Sequence, residues 1–258
     1  TRVLISDEQG FGDTIQFIRL IPKFKEKYNL KIAFQCKKEL YDLFKSYKYI
    51  DELYFYGQYI EQTDAHFALF DIATILQIDK NDIQTKIPYL FPTKKIKLNT
   101  TYKFNIGFCI SGNPAHKLNN IRNIPIDDFQ IIFENKNICF WDLATDKYNH
   151  LQKFENYQEP NFANFDQLAS IINELDLIIS VDTAVAHLAG ALGKKVILLL
   201  PEFTDWRWEL ELETSPYYPT MQILRKKSNW KDLIFRLNDL ILGSDGISIT
   251  PCGINRTV

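Results

Sequence analysis

The sequence lacks the features that mark several large classes of protein. It has no apolar run approaching the ~20 residues of a membrane-spanning helix, so no membrane span is predicted. Its 30 Lys and Arg residues are outnumbered by 32 Asp and Glu, which gives a net charge of −2 and no basic excess for binding nucleic acid. It also begins without Met and without a signal peptide, so we expect a piece of a longer chain.

Metal-binding patterns are absent too. The four Cys and four His are scattered without ligand spacing, so we expect no zinc site built by the protein. Most of the Cys lie in apolar, strand-like runs, which is typical of reduced structural thiols and indicates a cytoplasmic location. With 46% hydrophobic and 24% charged residues, the 258 residues are enough for one large or two modest globular domains.

Two series of alternating strand and helix patterns follow one another along the chain. The first predicts strands at 2–6, 31–36, 52–56 and 65–70, with helices at 14–28 and 38–46. A stretch at about 80–102 contains Pro88 and Pro92, loses periodicity and is predicted to be a linker. The second series predicts strands at 104–110, 137–141, 177–181, 196–200 and 221–225, with helices opened by Pro125, at 165–175, between 183 and 193, and at 230–242.

This alternation predicts an α/β fold with two Rossmann-like domains, at 1–98 and 99–242, facing each other across a cleft. The dinucleotide fingerprint Gly-x-Gly-x-x-Gly does not occur in the first strand-turn-helix unit. Residues 243–258 carry no pattern, and we expect a disordered or artefactual tail.

The most informative stretch is 176–201, where two apolar strands flank a short helix. Ligands of parallel sheets sit beyond the carboxyl ends of the strands, and Asp182 and Thr183 lie at that point. At 100° per residue, His187 shares a face with Thr183 and points away from the sheet-packing side. Asp-Thr at a helix start is either an ordinary N-cap or part of an anion site with the free helix amides.

The segment Ser-Val-Asp-Thr-Ala-Val-Ala-His-Leu-Ala-Gly-Ala-Leu-Gly, at 180–193, resembles the diphosphate-binding segment of glycosyltransferase family 9, the heptosyltransferase family. It is most similar to the branch found behind tetratricopeptide repeats, so the resemblance implies such repeats in the full-length chain. It also implies the GT-B architecture, with an acceptor-binding N-terminal half and a C-terminal half that binds a nucleotide-sugar. Asp182, Thr183, Ala184 and His187 would contact the diphosphate, and many family members carry Gly at the position of Ala184.

The turn after the first strand, Gly10-Phe-Gly12-Asp13, is the second candidate site. Asp13 followed by Gln16 fits a capping box, which is a structural role. Asp13 also lies where a general base would face the cleft, and the resemblance implies that role for a Gly-Asp in this turn. Asp7 and Glu8 are weaker candidates for the same function.

Two loops of the second half complete the site. The loop at 111–123 carries Lys117 and Arg122, which suit a diphosphate leaving group, although a solvated surface loop explains it too. The pattern Gly-Asn-Pro-x-His, followed by an Arg before Ile-Pro, is similar to that of the family. The loop after Pro201 carries Trp206 and Trp208, which either line a base or sugar pocket or pack beneath the loop.

The resemblance, taken with these features, implies an inverting, metal-independent glycosyltransferase that moves a sugar from a nucleotide-diphospho-sugar to an acceptor hydroxyl. No cofactor is expected, because Lys, Arg and a helix end can replace Mg²⁺, and no Asp-x-Asp occurs. One alternative is a catalytically degraded interaction module of a repeat protein, and another is a sugar-nucleotide epimerase on the same fold. The acceptor, whether glycan, lipid or protein, is not specified by the sequence.

Overall fold

The structure of the protein, a computed structural model, describes residues 1–79, 83, 86–114, 119–145 and 148–242. Lys117 and the predicted tail at 243–258 therefore lie outside the described residues. None of the described helices is long and apolar enough to cross a membrane.

The N-terminal unit is built on a parallel sheet of four strands in the order β3-β2-β1-β4. Helices connect the first three strands in chain order, whereas residues 56–64 lead from the third strand to the fourth without a helix. The strands are β1 Arg2–Ser6, β2 Lys31–Cys36, β3 Glu52–Phe55 and β4 Ala65–Ala68. The helices are α1 Phe11–Phe17, α2 Ile21–Tyr28, α3 Lys38–Phe44 and α4 Asp71–Ile75.

The C-terminal unit is built on a parallel sheet of six strands in the order β10-β9-β8-β5-β6-β7. Its strands are β5 Phe104–Cys109, β6 Ile138–Asp142, β7 Tyr157–Gln158, β8 Leu177–Ser180, β9 Val196–Leu200 and β10 Met221–Arg225. Its helices are α5 Asn119–Arg122, α6 Ile126–Phe129, α7 Phe165–Glu174, α8 Ala184–Ala191 and α9 Trp230–Leu242. Every residue of β8 and β9 is buried, as expected for strands covered on both faces.

The strand order creates a switch point in this second sheet. The chain runs outward from β5 through β6 to β7, then returns and continues from β8 on the other side of β5. Connections leaving β5 and β8 therefore diverge to opposite sides and open a crevice at their carboxyl ends. The predicted α/β fold with two facing units is confirmed, and no strand pairing joins the two sheets among the described residues.

The two units are joined by packing of α1 against α8. Apolar residues of both helices, such as Ile15 and Leu188, belong to one buried cluster that continues from unit to unit. Arg19, which is 2% exposed, donates to the carbonyl of Tyr217 at 2.9 Å and to the hydroxyl of Tyr89 at 2.7 Å. The N-terminal helix layer is thereby bonded to the C-terminal unit.

The segment before β5 also contacts the C-terminal unit. The amide of Tyr89 donates to the carbonyl of Ala191 at 3.0 Å, and the amide of Thr93 donates to Asp166 at 2.7 Å. No regular helix or strand occurs among its described residues, as predicted for a linker. The division at residue 98 stays a prediction.

The predicted helix at 14–28 is wrong in its start and in its continuity. It begins at Phe11 and is interrupted by a 3₁₀ turn at Ile18–Leu20 before α2. Pro22 explains the break, because proline has no N–H to donate to the preceding turn and its ring crowds that turn. Pro22 instead lies in the first turn of α2, where a missing N–H costs nothing.

Candidate functional site

A cavity of about 870 Å³ lies where the carboxyl ends of strands from both sheets converge. The turn after β1, the loops after β5 and β6, the start of α8 and the loop after β9 all contribute to its walls. The site residues predicted from the sequence that line it are Gly10, Gly12, Asp13, Arg122, Asp182, Thr183, Ala184 and His187. The topology therefore brings together residues that are far apart in the sequence.

The N-terminus of α8 is open towards this cavity. Thr183 occupies the N-cap position with extended backbone, but its side chain does not accept a bond from the helix amides. Its hydroxyl lies 3.0 Å from the hydroxyl of Ser180 instead. In the described part of the chain, the amides of Ala184 and Val185 have no hydrogen-bond partner. The helix end is therefore available to an anion, as the second of the two interpretations of Asp-Thr requires.

Arg122 lies beside this helix end and is fixed by its neighbours. Its Nη1 donates to the carbonyl of Asp182 at 2.8 Å, and its Nε donates to Asn119 at 3.3 Å. The guanidinium lies against Gly112, where a Cβ atom would approach Nη2 to 2.1 Å. Burial lowers the pKa of Arg122, and the nearby Asp182 carboxylate opposes that shift. The group remains a cation at neutral pH because the pKa of arginine starts so high.

His187 is part of the cavity wall, and each of its ring nitrogens has a polar neighbour. Its Nδ1 lies 2.9 Å from the hydroxyl of Tyr218, and its Nε2 lies 3.8 Å from a carboxylate oxygen of Asp182. Burial lowers the pKa of His187 well below its usual value, with a further contribution from Arg207. Burial also raises the pKa of Asp182. His187 is therefore a neutral imidazole at pH 7, and it faces α1 rather than its own sheet.

Asp13 is the third residue of α1, and Gly10 is the N-cap. The carboxylate reaches back and accepts a hydrogen bond from the amide of Gly10 at 2.9 Å. The predicted pairing of an Asp13 cap with Gln16 is therefore wrong, because the helix begins earlier than its pattern suggested. Gln16 is 1% exposed, and neither its amide oxygen nor its amide nitrogen has a partner among the described residues.

Arg207 is a cavity residue that the sequence analysis missed. Its Nη2 lies 2.6 Å from Oδ1 of Asp13, and its Nη1 lies 3.3 Å from Oδ1 of Asp205. This ion pair crosses the cleft from the C-terminal unit to the N-terminal turn. In the sequence, only its position between two Trp residues, in a loop that follows a strand, could have indicated that Arg207 lies at the site.

Trp206 and Trp208, in contrast, are not among the side chains that line the cavity. Residues 206–208 form a 3₁₀ turn, in which successive side chains point about 120° apart. Trp206 is 59% exposed, whereas Trp208 is fully buried with its ring centroid 5.3 Å from that of His187. The turn therefore presents Arg207, and neither indole, to the cleft.

Asp7 and Glu8 are engaged within the N-terminal unit. Asp7 accepts from the amide of Lys37 at 3.2 Å, and Glu8 accepts from the amides of Leu69 and Phe70 at 3.1 Å and 3.3 Å. Neither lines the cavity, which leaves Asp13 as the candidate base in this turn. Within the described ranges, no group of three or more His, Cys, Asp or Glu could hold a metal ion.

Residues 159–233 match the family model described as glycosyltransferase family 9 (heptosyltransferase). The fold is similar to that of E. coli heptosyltransferase WaaC with ADP-2-deoxy-2-fluoro heptose, with TM-score 0.64 and 10% identity over 94% of this chain and 99% of that chain. It is also similar to a family 9 glycosyl transferase from Veillonella parvula, with TM-score 0.63 and 13% identity over 87% of this chain and 86% of that chain.

A putative UDP-N-acetylglucosamine 2-epimerase from Listeria monocytogenes is similar as well, with TM-score 0.51 and 9% identity over 95% of this chain and 89% of that chain. No curated protein matches the sequence significantly. The structural likenesses show the GT-B fold, and the family match covers the segment 180–193 on which the resemblance rests. An association with tetratricopeptide repeats stays a prediction.

Proposed function

We propose that the protein is an inverting, metal-independent glycosyltransferase with a nucleotide-diphospho-sugar as donor. One observation carries this proposal: an open helix N-terminus with a neighbouring arginine, at Ala184 and Arg122, shares a cavity with the Asp13 carboxylate of the other unit. An anion site and a candidate base thus lie on opposite walls of one cleft. The similar fold that holds ADP-2-deoxy-2-fluoro heptose supports a donor of this class.

The donor diphosphate binds at the N-terminus of α8. The amides of Ala184 and Val185 donate to phosphate oxygens, and the positive end of the helix attracts their charge. Arg122 adds a charge-assisted donor beside Asp182. Lys117, which lies outside the described residues, stays a proposed second cation. Together these groups supply the positive charge that Mg²⁺ provides in metal-dependent transferases.

The base or sugar occupies a more apolar part of the cavity. In place of the two Trp residues, we assign this role to Leu143 and Ala144 after β6 and to Phe162 and Phe165 around the start of α7, all of which line the cavity. Apolar and aromatic walls with few polar groups are typical of small-molecule sites.

Asp13 acts as the general base. It takes the proton from the acceptor hydroxyl while that oxygen forms a bond to the anomeric carbon of the donor sugar. The bond from this carbon to the diphosphate breaks on the opposite face, so the configuration inverts. The departing negative charge is stabilised by the helix amides and Arg122, which are held in place before reaction.

A thermal-shift screen with ADP, UDP, GDP and CDP tests the donor site. A ligand at 100 times its dissociation constant adds about 2.7 kcal/mol of stability, which shifts the melting temperature measurably. We expect one nucleotide to stabilise the protein both with Mg²⁺ and with EDTA. The variant Arg122→Met provides a control that should lose most of the shift. Absence of any shift with all four nucleotides contradicts the proposal.

Product analysis separates the alternatives. A transferase releases nucleoside diphosphate, an epimerase returns an isomerised nucleotide-sugar, and a degraded interaction module does neither. The cytoplasmic location and repeats preceding this chain remain predictions, and the acceptor, whether glycan, lipid or protein, is not specified.

A further inference from the structure

Arg207 of the C-terminal unit forms an ion pair with Asp13, the candidate base of the N-terminal unit. Its side chain is 10% exposed, and the 2.6 Å contact joins it to an Asp13 side chain that is 23% exposed. The two residues are 194 positions apart, with Asp13 in α1 of the N-terminal unit and Arg207 in the 3₁₀ turn of the C-terminal unit. A pair this sheltered keeps a defined geometry, unlike a fully solvated surface pair.

The loop that carries Arg207 has its own supports. The side chain of Asp205 accepts from the amide of Arg207 at 3.2 Å and caps the 3₁₀ turn. Arg225 donates to the carbonyls of Trp208 and Glu209, both at 2.6 Å. The bond from the Arg207 guanidinium to Asp13 is therefore additional to what holds the backbone of the turn.

The carboxylate of Asp13 is fixed at two points. Oδ2 accepts from the amide of Gly10, and Oδ1 accepts from Nη2 of Arg207. Each carboxylate oxygen has two lone pairs, so one acceptor position per oxygen stays open for a substrate hydroxyl. The Gly10 bond anchors Asp13 to its own helix, and the Arg207 bond anchors it to the unit that carries α8.

We propose that Arg207 is a positioning residue for Asp13, an inference that rests on the proposed function. It orients the carboxylate and sets the distance between the base on the N-terminal unit and the sugar on the C-terminal unit. Small displacements of catalytic groups are costly, with a 1 Å error worth on the order of 10²-fold in rate. The guanidinium acts through Asp13 and does not itself exchange a proton.

The test compares Arg207→Gln, Arg207→Lys, Asp13→Asn and the double variant Asp13→Asn/Arg207→Gln. The readout is release of nucleoside diphosphate from a sugar donor that carries the nucleotide selected by the thermal-shift screen. For Arg207→Gln, we expect kcat to fall by about 10²-fold while KM for the donor changes less than about twofold, because the geometry is lost and the phosphate contacts are kept. Arg207→Lys should restore part of kcat, since it retains a cation near Asp13.

The double variant decides whether Arg207 acts through Asp13. Its kcat should be no lower than that of Asp13→Asn alone, because a base that is absent cannot be mispositioned. Arg225→Gln is the matched control, since it weakens the same turn without contacting Asp13. It should lower the melting temperature but reduce kcat much less than Arg207→Gln does.

Several outcomes would overturn the inference. If Arg207→Gln turns over at the wild-type rate while Asp13→Asn is inactive, Arg207 does not position the base, and the proposed function stays intact. The positioning role would also be rejected if the losses of kcat multiply in the double variant. The same conclusion would follow if Arg225→Gln loses as much kcat as Arg207→Gln does. Full turnover by Asp13→Asn, or a wild-type protein that neither binds nor releases a nucleotide, would remove the proposed function and this inference together. The melting temperatures of the wild type, Arg207→Gln, Asp13→Asn and the double variant then still report whether the two residues are coupled in the folded protein.

Discussion

Gly12 lies directly against the imidazole of His187, and a Cβ atom at position 12 would approach Cδ2 of that ring to 2.6 Å. This contact lies in the interface between α1 and α8. Glycine is needed here for close approach of two helices, and a methyl group would have to displace the ring or separate the units.

We therefore expect Gly12→Ala to destabilise the protein. Overpacking of a tight interface costs about 1–3 kcal/mol, and the better helix propensity of Ala offsets about 1 kcal/mol of it. Unfolding in urea measures the difference. In a His187→Ala background the clashing ring is gone, so the cost of Gly12→Ala should largely vanish. An equal cost in both backgrounds would show that the contact does not set the spacing of the helices.

The second prediction concerns pH and His187. Burial lowers the pKa of this residue well below the value of 6.5 that it has when unfolded. The unfolded chain therefore binds a proton that the folded chain does not, so stability is lost as pH falls below about 6.5. For one such proton, the free energy of unfolding changes by about 1.4 kcal/mol per pH unit.

Urea unfolding at several pH values between 7.5 and 5.5 should show this decline in the wild-type protein. His187→Gln cannot take up the proton, so its unfolding free energy should decline less over the same range. Two of the other histidines, His66 and His150, are exposed and are common to both proteins. Parallel profiles of the two proteins would contradict a buried, neutral His187.

The third prediction uses Gly112 to move Arg122 without replacing it. A Cβ atom at position 112 would approach Nη2 of Arg122 to 2.1 Å, so Gly112→Ala must displace the guanidinium. If Arg122 contacts the diphosphate, nucleotide affinity should fall by about 1.5–3 kcal/mol, the range for hydrogen bonds to charged groups. Isothermal titration calorimetry measures the loss. Both changes remove the same contact between Arg122 and the diphosphate. Gly112→Ala should therefore lower nucleotide affinity little further in an Arg122→Met protein, and fully additive losses would contradict this contact.

The sequence predicted the limits of regular elements best where an apolar pattern is uninterrupted and bounded by polar residues. The strands β2, β9 and β10 and the helix α9 have the limits expected from their patterns. The interruption at Ile18–Leu20 was not predicted, because the apolar pattern continues through Pro22 although the hydrogen bonding cannot.

The candidate site was predictable only in part, for a physical reason. Asp13 and Thr183 follow strands of parallel sheets, so their place at the cavity depends on local pattern and on topology alone. Arg207 depends on how two separate units pack, and its partner lies 194 residues away. The burial of Trp208 beneath His187 likewise follows from tertiary packing that a loop sequence does not encode.

The last prediction concerns Asp13→Asn. Asn keeps a side-chain oxygen that can accept from the amide of Gly10, so α1 should still begin at the same place. The charge that faces Arg207 is lost, however, and a hydrogen bond to a charged group is worth about 1.5–3 kcal/mol. Because Arg207 retains Asp205 as a partner, we expect a folded protein with a stability loss within that range.

Turnover separates catalysis from this structural role. Asn cannot take a proton from the acceptor, so transfer should fall by about 10²–10⁴-fold, the usual contribution of a general base. Nucleotide affinity should stay close to that of the wild type, because the diphosphate is held at Ala184 and Arg122 on the opposite wall. Asp205→Asn is the matched control, since it removes the other carboxylate beside Arg207 and leaves the base in place. If Asp13→Asn is destabilised yet transfers at the wild-type rate, Asp13 only pairs with Arg207 and caps α1, and the base must lie elsewhere in the cleft.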